Sequence, residues 1–73
     1  YPNPVYGRLT LAGLAAPATF RAFDLAGREV KIAAAQFGSR AEIGTESLTP
    51  GLYLLEVAAE GYAPSTLKFV VAR

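Results

Sequence analysis

Hydrophobic positions alternate with polar ones along most of the chain, and glycines and prolines cut the alternation into short runs. Such alternation marks strands with one buried face, whereas helices need longer stretches of 3.6-residue periodicity. The opening YPNPV places Tyr1 and Asn3 each before a proline, which pushes both towards extended conformations. Pro2 and Pro4 carry no N–H for a ladder, so Tyr1 to Pro4 suits a sheet edge or a lead-in. GRLTL then sets Leu9 and Leu11 against Arg8 and Thr10, a short half-buried strand. Val5 and Leu9 start the alternation at once, so YPNPV is read as the first, edge-placed piece of the domain, with any flexible linker upstream of Tyr1. AGLAAPA, broken by Gly13 and Pro17, is expected as a loop.

TFRAFDLAGREVKI is predicted to be a hairpin with arms Phe20 to Leu25 and Glu29 to Ile32. Asp24 and Gly27 bracket its connection, where Gly27 can take the positive φ that tight turns require. Val30 and Ile32 face inward on the return arm, and Glu29 and Lys31 outward. On the first arm Phe20 and Ala22 compete with Phe23 and Leu25 for the core, and the pattern leaves that face open. AAAQFGSRAEIGTESL has the weakest signal. Its alanines suit a helical turn, while Gly38 and Gly44 argue for a loop followed by a short strand over Ala41 to Gly44.

LTPGLYLLEVAAEGYAP is the clearest stretch. Pro50 and Gly51 suit the central positions of a type II turn. Leu52 to Ala58 follows as a strand, with Tyr53, Leu55 and Val57 on one face and Leu52, Leu54 and Glu56 on the other. Both faces are partly apolar, so a central strand is expected. Glu60 and Gly61 form the next turn, and STLKFVVAR closes the chain with Leu67, Phe69 and Val71 alternating against Lys68. About six or seven short strands, with turn signals every 8–12 residues or so, predict an all-β fold, a small antiparallel β-sandwich.

Composition sharpens this picture. The 73 residues allow one domain at most, with a core that supplies only about 3–5 kcal/mol. A hydrophobic share of 52% against 18% charged residues belongs to a globular chain rather than a disordered one. A net charge of +1 gives little attraction to nucleic acid, and the aromatics are interleaved with apolar rather than basic residues. Glu42, Glu46, Glu56 and Glu60 occupy a stretch without basic residues and are read as solvated positions on sheet faces. The absence of cysteine fits either a cytosolic protein or a bacterial export module that relies on packing alone.

Catalysis has little to draw on. Without histidine or cysteine, the commonest general base, the thiol nucleophile and the usual zinc ligands are missing. Asp24, the one aspartate, has an ordinary task at a turn as an acceptor for backbone N–H groups. Glu42 and Glu46 would meet only on a helix that Gly44 disfavours, and Ser39, Ser47 and Ser65 have no activating base. The glycines are scattered and none precedes a Lys-Ser/Thr pair, so there is no phosphate loop. No enzyme activity, cofactor, metal or small-molecule substrate is expected. What remains is recognition, since the edges of a small sandwich can accept a partner's strand or allow weak dimerisation.

Taken in order, YPNPV, the LTL strand, FDLAGREV, LTPGLYLLEV and the terminal KFVVAR resemble the carboxy-terminal sorting domain (type A) of the Bacteroidetes type IX secretion system. The match runs over nearly the whole chain, although residues 33–47 fit only loosely. The resemblance implies an Ig-like sandwich, 1–73, excised from a larger secreted precursor. Such a domain carries a covalently linked upstream cargo through the periplasm to the outer-membrane translocon. A sortase-like protease then cuts it off as the cargo reaches the surface or the medium. By position, Pro2, Asn3 and Pro4 match the opening motif, and Gly51 and Tyr53, behind Pro50, match the Gly-x-Tyr motif. Lys68, Phe69, Val70, Val71 and Arg73 match the terminal basic-apolar motif, to which the resemblance assigns translocon recognition. PGLYLLEVAAEGYAP alone also resembles carboxypeptidase-regulatory or transthyretin-like accessory modules, structural or carbohydrate-associated. YPNPV and FDLAGREV are not expected in those, nor in a plain fibronectin-like spacer.

Overall fold

The computed structural model describes residues 7–72, all in strands and connections, with no helix among them. The strands are β1 (Arg8–Leu11), β2 (Ala18–Asp24), β3 (Glu29–Val30), β4 (Ala33–Phe37), β5 (Arg40–Gly44), β6 (Gly51–Ala59) and β7 (Ser65–Val71). They form two antiparallel sheets, ordered β1-β5-β4 and β3-β2-β6-β7. Leu9 and Ile43 from the first sheet and Ala22, Tyr53, Leu55, Phe69 and Val71 from the second pack into one core, closed by Leu48 from the β5–β6 connection. The all-β sandwich expected from the alternation is what the chain forms.

β6 is the longest strand and lies between β2 and β7, which accounts for its apolar residues on both faces. Its register places Ala22 opposite Leu55 and Tyr53 opposite Phe69, all facing the core. This resolves the ambiguous arm: Ala22 is buried and Phe20 packs against the core, while Phe23 lies on the outer face and Leu25 is 65% exposed in the turn. The hairpin arms also differ from expectation. β2 starts at Ala18, and β3 ends at Val30, because Lys31 and Ile32 carry the chain across to the other sheet. Ile32 still packs against the core, and the Lys31 carbonyl accepts a hydrogen bond from Ser47 Oγ (2.9 Å) that holds the crossing.

No helical turn forms in the alanine run. Ala33–Phe37 pairs with Arg40–Gly44 around Gly38 and Ser39, so strand pairing overrides alanine's local preference. The Pro50-Gly51 turn also differs. The hydrogen-bonded turn comes earlier, with Leu48 N–H donating to Thr45 C=O (3.0 Å), and Gly51 opens β6 at φ 156°, far from the +80° or so of a type II turn. The Glu60-Gly61 turn forms where the pattern places it, with Tyr62 N–H on Ala59 C=O (3.1 Å) and Gly61 at φ 84°.

Candidate functional site

Two of the motifs singled out in the sequence are neighbours in one sheet. Gly51 pairs with Val71 and Tyr53 with Phe69, so the Gly-x-Tyr segment lies alongside the terminal segment over its whole length. The rings of Tyr53 and Phe69 stack at 5.7 Å with an interplanar angle of 24°. Tyr53 reaches past the core edge to donate its hydroxyl to Thr49 C=O (2.6 Å), with Thr49 Oγ1 at 3.1 Å. A buried phenol needs such a partner, and this bond ties the segment before β6 to the strand itself.

Alternation then divides the terminal motif between two environments. Phe69 and Val71 are 0% and 2% exposed and belong to the core. Lys68 is exposed, and Val70 half-buried, on the outer face of β7, the edge of its sheet. Of the described residues assigned to recognition, only these two present side chains to a partner of the folded domain. Across the outer face Lys68 lies opposite Leu54 and Val70 opposite Leu52, while Phe23 lies beyond Leu54 with the Arg21 guanidinium 5.1 Å above its ring. Pro2, Asn3, Pro4 and Arg73 lie outside the described residues.

Arg21, Glu29 and Glu56 form a small charge cluster on the same outer face. Arg21 bonds Glu29 (2.9 Å) and approaches Glu56 (3.9 Å). Glu29 holds the Arg21 guanidinium still more firmly protonated, and Arg21 in turn holds the Glu29 carboxyl below its ordinary range. All three side chains are well solvated, so these pairs add little stability and chiefly orient the sheet surface.

Asp24 and Gly27 act as their positions suggest. Asp24 Oδ1 accepts from the N–H groups of Arg28 (3.0 Å) and Ala26 (2.9 Å), and Gly27 closes the turn at φ 86°. The Arg28 backbone bond is the main cause that holds the Asp24 carboxyl below its ordinary range. A group with a depressed folded-state pKa contributes stability above its unfolded pKa and loses it as the pH falls through the folded value. The melting temperature is therefore expected to fall as the pH drops below about 4. Asp24→Asn, which keeps an acceptor oxygen but does not titrate, should flatten that fall in a pH series of thermal melts. Glu29, whose carboxyl is also held low, should keep part of the fall in that variant.

Gln36 is the residue that sequence reasoning missed. Its amide oxygen accepts from Ala18 N–H (2.9 Å), and its amide nitrogen donates to Ala16 and Gly38 C=O (both 3.0 Å). With Leu14 N–H on Ser39 C=O (2.9 Å), it pins the β1–β2 loop to the β4–β5 turn. The one available signal was a single long amide in a run of alanines.

No group of three or more acidic, histidine or cysteine side chains among the described residues could hold a metal ion. One open cleft is bounded mostly by small side chains, Leu14, Ala15, Pro17, Gln36 and Ser39 among them. The motif-bearing terminal strand β7 forms an edge of its sheet, where a partner can reach it.

Comparison with known families gives that class its particulars. A family model described as "Secretion system C-terminal sorting domain" matches residues 1–72, and the chain belongs to that family. It is a sorting domain of type IX secretion, the role that exports proteins towards the cell surface or the extracellular space. No curated protein and no solved structure matches the chain significantly. Nothing found supports the accessory-module alternative.

Proposed function

We propose that residues 1–73 serve as the cleavable address of a larger exported precursor and carry no catalytic activity of their own. The family match over 1–72 carries the proposal. The upstream cargo crosses the periplasm, the outer-membrane translocon reads the domain, and a sortase-like protease separates domain from cargo at the surface. The β6–β7 pair is the element offered to the translocon: Phe69, Val71 and Tyr53 hold it rigid from inside, and Lys68, Val70 and Arg73 supply the contacts. This division of labour is supported by the alternation of buried and solvent-facing residues along β7.

Fusion of residues 1–73 behind a fluorescent protein with a signal peptide tests it. In a type IX-competent host the fluorescence should reach the cell surface or the medium. Retention of the intact, folded fusion in the periplasm would sink the proposal.

A further inference from the structure

β4 differs from the other sheet edges among the described residues. β3 is only two residues long, β1 carries Arg8, and β7 carries Lys68 at its midpoint. Proteins commonly blunt edges in those ways, because an unpaired row of N–H and C=O groups is a template for another strand. β4 reads Ala33-Ala34-Ala35-Gln36-Phe37, with no charge and no proline, and its side chains are exposed except for the half-buried Gln36. Phe37 is 56% exposed.

We propose that β4 is a self-association edge, at which a second copy of this chain adds its own β4 antiparallel to form one sheet across both copies. The backbone parity supports a two-fold centred on Ala35. Gly38 at φ 61°, followed by Ser39 without a positive φ, fits a two-residue type II′ hairpin. In such a hairpin the flanking pair, Phe37 and Arg40, is hydrogen-bonded. Ala35 and Ala33 then bond to β5, while Ala34 and Gln36 turn their N–H and C=O groups outward. Antiparallel pairing about Ala35 sets Ala34 against the partner's Gln36 and Gln36 against the partner's Ala34. All the outward groups of those residues are then satisfied. The Gln36 side chain is already engaged within its own copy and leaves this edge clear.

Side chains fit the same register. Phe37 would lie opposite the partner's Ala33, which pairs in turn with the partner's Gly44, so nothing larger than a methyl stands there. That spot opens on a cleft bounded by Lys31, Ile32, Ala33, Gly44, Glu46 and Ser47, and a Cβ built on Gly44 would come 3.1 Å from the Glu46 carboxylate. Arg40, whose guanidinium sits 5.7 Å from the Phe37 ring centre, would travel with that ring towards the partner's Glu46. Each copy thus supplies an aromatic and a cation to a small surface on the other that Glu46 and Lys31 both flank. Self-pairing of β7 about its midpoint would instead oppose Lys68 to its own copy, which is unfavourable. The inference does not depend on the secretory role.

Sedimentation equilibrium of the 73-residue chain tests it. A concentration-dependent monomer–dimer equilibrium is expected. Ala35→Lys and Ala35→Glu, each placing like charges opposite one another, should be monomeric with unchanged circular dichroism, whereas an equal mixture of the two should form a heterodimer. Phe37→Ala, at an exposed position, should weaken the dimer at least tenfold, and Lys68→Glu should leave it unchanged. A chain that stays monomeric up to about 1 mM overturns the proposal. So does a mixture that does not associate, or a dimer lost in Lys68→Glu but kept in the Ala35 variants.

Discussion

Phe69→Ala is expected to leave the chain largely unfolded at 25 °C. Phe69 is fully buried, stacks on Tyr53, and sits in the strand that pairs with the longest one, β6. Truncating a buried phenylalanine costs about 3–5 kcal/mol through lost transfer energy and the cavity left behind. A core of this size supplies about the same amount in total, so nothing remains to hold the fold. Phe69→Leu, which keeps most of the volume, should still fold with a lowered melting temperature. Urea titration followed by circular dichroism distinguishes the two. A cooperative transition for Phe69→Ala near that of the wild type would show that the contacts of Phe69 do not carry the weight given to them here.

Removing charge at the end of the chain should have the opposite profile, a stable domain that fails as an address. Lys68→Ala combined with Arg73→Ala should leave the melting temperature nearly unchanged, because Lys68 is exposed and surface substitutions usually stay within about 0.5 kcal/mol. Export of a fluorescent fusion carrying both changes should fall at least tenfold. Deleting residues 68–73 should abolish export as well, but for a mixed reason, since Phe69 and Val71 leave the core along with the charges. Thermal melts paired with a secretion assay separate the two causes. Normal export of the double-alanine fusion would show that these charges are no part of the signal, and recognition would then have to rest on Val70 and the backbone of β7.

Much of this division could be read from the chain alone, because alternation within β6 and β7 is a local property. Tyr53, Leu55, Leu67, Phe69 and Val71 share a parity that puts them on one side wherever the strands lie. Asp24 and Gly27 were legible for a similar reason, as the acceptor and the positive φ a tight turn needs are both supplied within four residues. Gln36 was not legible. Its three partners lie in the β1–β2 loop, at the start of β2 and in its own turn, and nothing in an alanine run announces them.

From its sequence alone the chain determined an all-β fold, the positions of most strands and turns, and the ordered motifs that mark it as a sorting domain. These depend on side-chain period and on turn chemistry, which act over a few residues. Tertiary structure decided which side of β2 faces inward, because Ala22 is buried only through its pairing with Leu55 under the opposite sheet. It turned Ala33–Phe37 into a strand against alanine's preference, and it sent the chain from one sheet to the other at Lys31 and Ile32. It also set the Gly-x-Tyr segment beside the terminal segment, residues far apart in the chain whose contact exists only once β6 and β7 have paired.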